Sequence, residues 1–119
     1  MEQWYQEARQ YLKQYRFYHS IVEEASRYWS DTAKSKRLQR MALYCQQVTS
    51  AIDNIRDRRQ ANVIRNEFIV ADGGPQLAYQ QSGLGKTQYY VIRKQAMREW
   101  WQLINQCTGN RSVTKQHRS

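Results

Sequence analysis

Proline occurs once in the 119 residues, glycine five times, and cysteine and histidine twice each. So few turn formers leave little room for a loop-rich chain or a β-sandwich, which need them at every connection. Cys45 and Cys107 are too few for a disulfide scaffold and lack the CxxC or Cys/His spacing of a zinc site. Cys45 falls on an apolar helix face, where packing is its expected role. His19 and His117 have no nucleophile spaced around them and no third ligand. Catalysis, metal and cofactor are therefore not expected. No apolar run approaches twenty residues and no signal peptide is recognisable, so the chain reads as soluble and cytoplasmic, without a membrane partner.

Acidic residues are scarce where basic ones are not. The formal net charge is +9, and it is uneven: residues 1–58 hold ten Lys or Arg against seven Asp or Glu, residues 59–119 nine against three. A polyanion should dock on the C-terminal half.

The apolar pattern is helical throughout, and the expected fold is all-α. Trp4, Ala8, Tyr11, Tyr15, Tyr18, Val22, Ala25 and Trp29 alternate by four and three, which predicts one long helix with a continuous seam. Ser30, Asp31 and Thr32 then supply capping residues. A second long helix follows, with Leu38, Met41, Cys45, Val48, Ile52 and Ile55 on its seam. Residues 1–58 thus read as an antiparallel helical hairpin. Its aromatic seam either fills a core or faces a second copy, making a homodimer through the N-terminal helices. A third helix, ANVIRNEFIV, should place Val63, Ile64 and Phe68 beneath a turn before Asp72, Gly73 and Gly74 break it.

Residues 82–87, SGLGKT, raise the question of a phosphate-binding loop. That loop needs a second glycine at residue 80, which is Gln80, and a buried strand before it, whereas PQLAYQQ is polar and opens with Pro75. A turn between two helices fits better. Pro75 suits a first helical turn, Gly83 suits a left-handed helix end, and from Lys86 neither Gly nor Pro recurs until Gly109. Tyr89, Ile92, Ala96, Trp100 and Leu103 form one face of the second helix, with Trp101 at its margin. The opposite face offers Lys86, Thr87, Tyr90, Val91, Lys94 and Arg98, and Arg93 lies slightly off it. This is a helix-turn-helix with a basic second helix. Lys86, Thr87, Tyr90, Val91, Arg93, Lys94 and Arg98 are accordingly the candidate DNA-binding residues, with Arg93 and Arg98 suited to phosphate and Val91 to a thymine methyl. Residues 59–107 would form this region, and residues 108–119, with Arg111, Lys115 and Arg118, a basic mobile tail.

The order of parts, a long helical region followed by IRNEFIVADGG, PQLAYQQSGLG and KTQYYVIRKQAM, resembles the ArpU-like and RinA-like regulators of phage late genes. Their C-terminal segment is similar to the last DNA-binding region of bacterial sigma factors. Gly83, Leu84, Gly85, Tyr89, Tyr90, Arg93 and Ala96 carry the correspondence, with Gly85 standing where that family tends to have a capping serine. The resemblance implies a phage or prophage protein, acting in a bacterial cytoplasm, that binds double-stranded DNA and activates packaging or lysis genes, with host RNA polymerase as a further partner. The alternative is a helical adaptor that docks on RNA polymerase or a packaging protein without reading DNA.

Overall fold

A computed structural model describes residues 2–28, 36–70 and 72–117, with side chains described to residue 27 of the second helix and to residue 106 of the last. Trp29, the capping residues Ser30, Asp31 and Thr32, and Arg118 lie outside the described residues, as do the side chains of Cys107, Arg111, Lys115 and His117. All described regular structure is helical. The elements are α1 (Gln3–Lys13), α2 (Tyr15–Tyr28), α3 (Lys36–Asp53), α4 (Arg58–Ile64) continued by a π-helical turn (Arg65–Ile69), α5 (Pro75–Ser82) and α6 (Lys86–His117). α6 carries on through Gly109, beyond the point where apolar periodicity stops.

The first long helix is divided where the seam predicted none. Gln14 ends α1, and the two pieces serve different partners: α1 packs against α6, whereas α2 packs against α3. A seam of unbroken spacing can be shared in this way, because periodicity reports which face is covered and not by what. Tyr5, Ala8 and Leu12 form the buried face of α1. They join Tyr15, Cys45, Val48, Ile52, Ile64, Phe68, Ala96, Met97, Trp100 and Ile104 in one core. Residue 58 therefore does not separate two cores. The seam of α3 is largely internal too: Leu38, Cys45, Val48 and Ile52 are buried, Met41 is half-buried, and Ile55, just past the helix end, is buried.

Tyr44 ties these layers together. Its ring meets Tyr11 at 5.0 Å and Tyr18 at 5.3 Å, both edge to face, and its hydroxyl donates to the Tyr11 carbonyl. Burial pushes that phenol above its ordinary value of 10, so it stays a donor. Trp100, fully buried, donates from Nε1 to the Val48 carbonyl at 3.3 Å, while Trp101 keeps to the margin against Tyr11.

A smaller cluster holds the C-terminal helices. Val63 of α4, Ala78 of α5 and Tyr89 of α6 are buried together, with Leu84 and Ile92 packed against them. Of the three residues expected beneath the turn, only Val63 is there; Ile64 and Phe68 face the main core, because successive positions on a helix point about 100° apart. The loop after the π-helical turn is pinned by Arg16 of α2, which donates to the carbonyls of Val70 and Glu67, each at 2.9 Å. Gly73 passes so close that a Cβ there would lie 2.0 Å from the Asn66 carbonyl oxygen.

Candidate nucleic-acid interface

The stretch from Ser82 to Thr87 is a turn between two helices. Pro75 occupies the first turn of α5, whose end is Gly83 in the left-handed region (φ 70°, ψ 12°). Ser82 Oγ donates to the Tyr79 carbonyl at 2.7 Å and accepts from the Leu84 amide at 3.1 Å, which satisfies two groups that a helix end leaves open. Leu84 closes the small core from the turn. The Gly85 carbonyl then accepts from the Tyr89 amide at 2.8 Å, starting α6.

From there α6 divides into two faces. Tyr89, Ala96, Met97, Trp100 and Ile104 are buried, and Ile92 and Leu103 are half-buried. Lys86, Thr87, Tyr90, Val91, Lys94 and Arg98 are exposed, Tyr90 and Val91 by about half. Six of the seven residues expected on the reading face thus share solvent, along roughly 18 Å of helix at 1.5 Å per residue.

Arg93 is the exception. Its guanidinium turns inward, with Nη2 3.0 Å from Glu67 Oε2, and the side chain is 15% exposed. It also lies over the Tyr5 ring at 5.7 Å. Burial raises the Glu67 carboxyl above its ordinary value of 4.5, while Arg93, then the Tyr89 hydroxyl at 3.3 Å, pull the other way. In this structure Arg93 is held by that carboxylate. The one legible signal was Glu67 itself, a lone acid in step with the inward-facing Ile64 and Phe68, which calls for a buried cation.

Two more partners were not legible. Glu2 Oε1 lies 2.9 Å from Lys94 Nζ, and the Trp4 ring lies 4.9 Å from the Arg98 guanidinium carbon. Lys94 holds the Glu2 carboxyl below its ordinary value of 4.5. Tyr11 reaches Trp100 and Trp101 further along, so α1 and α6 run side by side in the same direction. Between them lies an open cleft of about 770 Å³ lined by Glu2, Tyr5, Tyr90, Arg93 and Lys94.

The chain matches no family model, no curated protein and no solved structure. Function must be argued from this surface. Among the described residues no group of three His, Cys, Asp or Glu could hold a metal, and no helix is long and apolar enough to cross a membrane. His19 stacks on Tyr15 at 5.2 Å and lies 3.7 Å from Glu23, a surface role.

Proposed function

We propose that the chain is a sequence-specific DNA-binding transcription regulator, and that α5, the turn at Gly83 to Gly85 and α6 act as its helix-turn-helix. The exposed stripe of Lys86, Thr87, Tyr90, Val91, Lys94 and Arg98 on α6 carries this reading. A helix of 10 to 12 Å diameter fits the major groove, and this one offers cations for phosphates around a central hydroxyl and methyls for base edges. Thr87 and Val91 are assigned to bases, Lys86 and Arg98 to phosphates, and Lys94 to either. Arg93 supports the helix from behind. The likeness to phage late-gene activators supports the same assignment, with activation of packaging or lysis genes in a bacterial cytoplasm as its biological form.

Salt dependence of duplex binding tests it. Each phosphate contact contributes a slope of about −0.9 in the logarithm of affinity against the logarithm of salt, so Lys86 and Arg98 should give about −2, and about −3 where Lys94 also meets a phosphate. A chain with no duplex affinity at low salt would instead be an adaptor for RNA polymerase or a packaging protein. Phe17, 64% exposed on α2, is the most exposed large apolar side chain among the described residues and the place where such a partner would be sought. A homodimer would have to use such surfaces, since the aromatic seam is largely occupied within the chain.

A further inference from the structure

Beside the stripe on α6, a pocket of about 280 Å³ opens between Gln76 and Tyr79 of α5 and Lys86, Tyr89, Tyr90 and Arg93 of α6. Tyr89 is its fixed point, 2% exposed and bonded through its hydroxyl to Glu67. Two other rings meet Tyr89 edge to face, Tyr79 at 5.3 Å and 73° and Tyr90 at 5.6 Å and 65°. Both remain open to solvent, at 38% and 51% exposure. They are therefore anchored on one side and available on the other.

The charges are as selective as the rings. Arg93 is neutralised from behind by Glu67, whereas Lys86 has no ion pair among the described residues. No carboxylate lines the opening. Two accessible aromatic rings, one free ammonium and one primary amide make a combination that suits a planar, hydrogen-bonding ring joined to a phosphate. The space is too small for a helix or a folded segment and suits one planar ring.

We propose that this pocket holds a single unstacked nucleobase of a DNA strand, stacked against Tyr79 and Tyr90, with Gln76 toward the base edge and the adjoining phosphate on Lys86. The proposal rests on the DNA-binding reading and adds to it a site for an unpaired base at the edge of the duplex-reading face, with which it shares Lys86 and Tyr90. Tyr79 belongs to this pocket and not to the stripe on α6. Its loss should affect unpaired DNA and leave the duplex alone.

The test uses the full chain with three fluorescently labelled probes: a mixed-sequence duplex, a twelve-nucleotide oligothymidylate and an abasic strand of the same length. Wild type should bind oligothymidylate roughly tenfold more tightly than the abasic strand, in the range expected for stacking of one base. Tyr79→Leu should lose that margin, Tyr79→Phe should keep it, and both should bind the duplex as wild type does. Equal affinity of wild type for the two single strands overturns the proposal without recourse to any variant, as does full retention of the margin in a folded Tyr79→Leu. Absence of duplex binding by wild type would overturn the DNA reading itself, so the two failures are distinct.

Discussion

Arg93 and Glu67 face each other across α6 and the π-helical turn with 3.0 Å between Nη2 and Oε2, and Glu67 is 2% exposed. A carboxylate so deeply placed is tolerable only while its cation stays. Glu67→Ala should therefore destabilise the chain by about 3 to 5 kcal/mol, since it strands the guanidinium. Glu67→Leu combined with Arg93→Met should cost much less than the two single changes added together, because neither charge is then left alone. Denaturant unfolding of the four proteins measures the coupling; strict additivity would show that the pair does not interact.

The same carboxyl gives stability a pH dependence of predictable sign. Its folded value lies above the ordinary 4.5, so between those two values the folded chain binds more protons than the unfolded one. This contribution is fully present below the unfolded value and is lost as pH rises through the folded one. Unfolding midpoints recorded from about pH 4 to 8 should show a falling component in wild type that disappears in Glu67→Gln. A component that rises with pH and is removed by the same substitution would mean that the Arg93 attraction outweighs burial.

The two turn glycines should respond in opposite ways. A Cβ at Gly83 would meet nothing within 4 Å, so the penalty for Gly83→Val is conformational: a β-branched residue at φ 70°. That substitution should cost about 2 kcal/mol or more in thermal or chemical unfolding. Gly85→Ser places a capping hydroxyl at the start of α6 and should be neutral or stabilising by a few tenths of a kcal/mol. A phosphate loop demands the reverse order, since a side chain before Lys86 would block the anion. Loss of function in Gly85→Ser with Gly83→Val tolerated would refute the helix-turn-helix assignment.

Under the proposed DNA-binding role, Glu2 would compete with DNA for Lys94. Their 2.9 Å contact is half exposed on both sides, so solvent and salt screen it and it is weak. Glu2→Gln should tighten duplex binding by up to about fivefold at low salt and by less as salt rises. Lys94→Ala should weaken binding by about 1 to 3 kcal/mol if it reads a base, or evenly across sequences if it meets phosphate. Unchanged isotherms for both variants would remove Lys94 from the interface.

The helices themselves were legible because each has its own local signal. Three- and four-residue spacing marks Tyr89, Ala96 and Trp100 as inward, and Ile52 and Val48 likewise, all at 2% exposure or less. Gly83 and Pro75 mark the turn and the helix start through backbone geometry alone. The division at Gln14 carried no such mark. Neither did the contacts of Glu2 and Trp4 with Lys94 and Arg98, which join residues about ninety positions apart and leave no trace in local periodicity. The inward turn of Arg93 was hidden for a related reason: its position on the helical wheel lies near the solvent face, and its partner Glu67 comes from another helix.

The side-by-side run of α1 and α6 has a consequence for synthesis. Tyr5, Ala8 and Leu12 leave the ribosome well before Ala96, Met97 and Trp100, which share their core and follow roughly ninety residues later. Until then the nascent chain carries an uncovered aromatic edge, and contacts of such long sequence separation form late and slowly. A message cut short before the codon for Trp100 would therefore release a product whose first helix lacks its α6 partner and keeps only contacts such as Tyr11 with Tyr44, exposed to chaperones and proteases however well α2 and α3 had already paired.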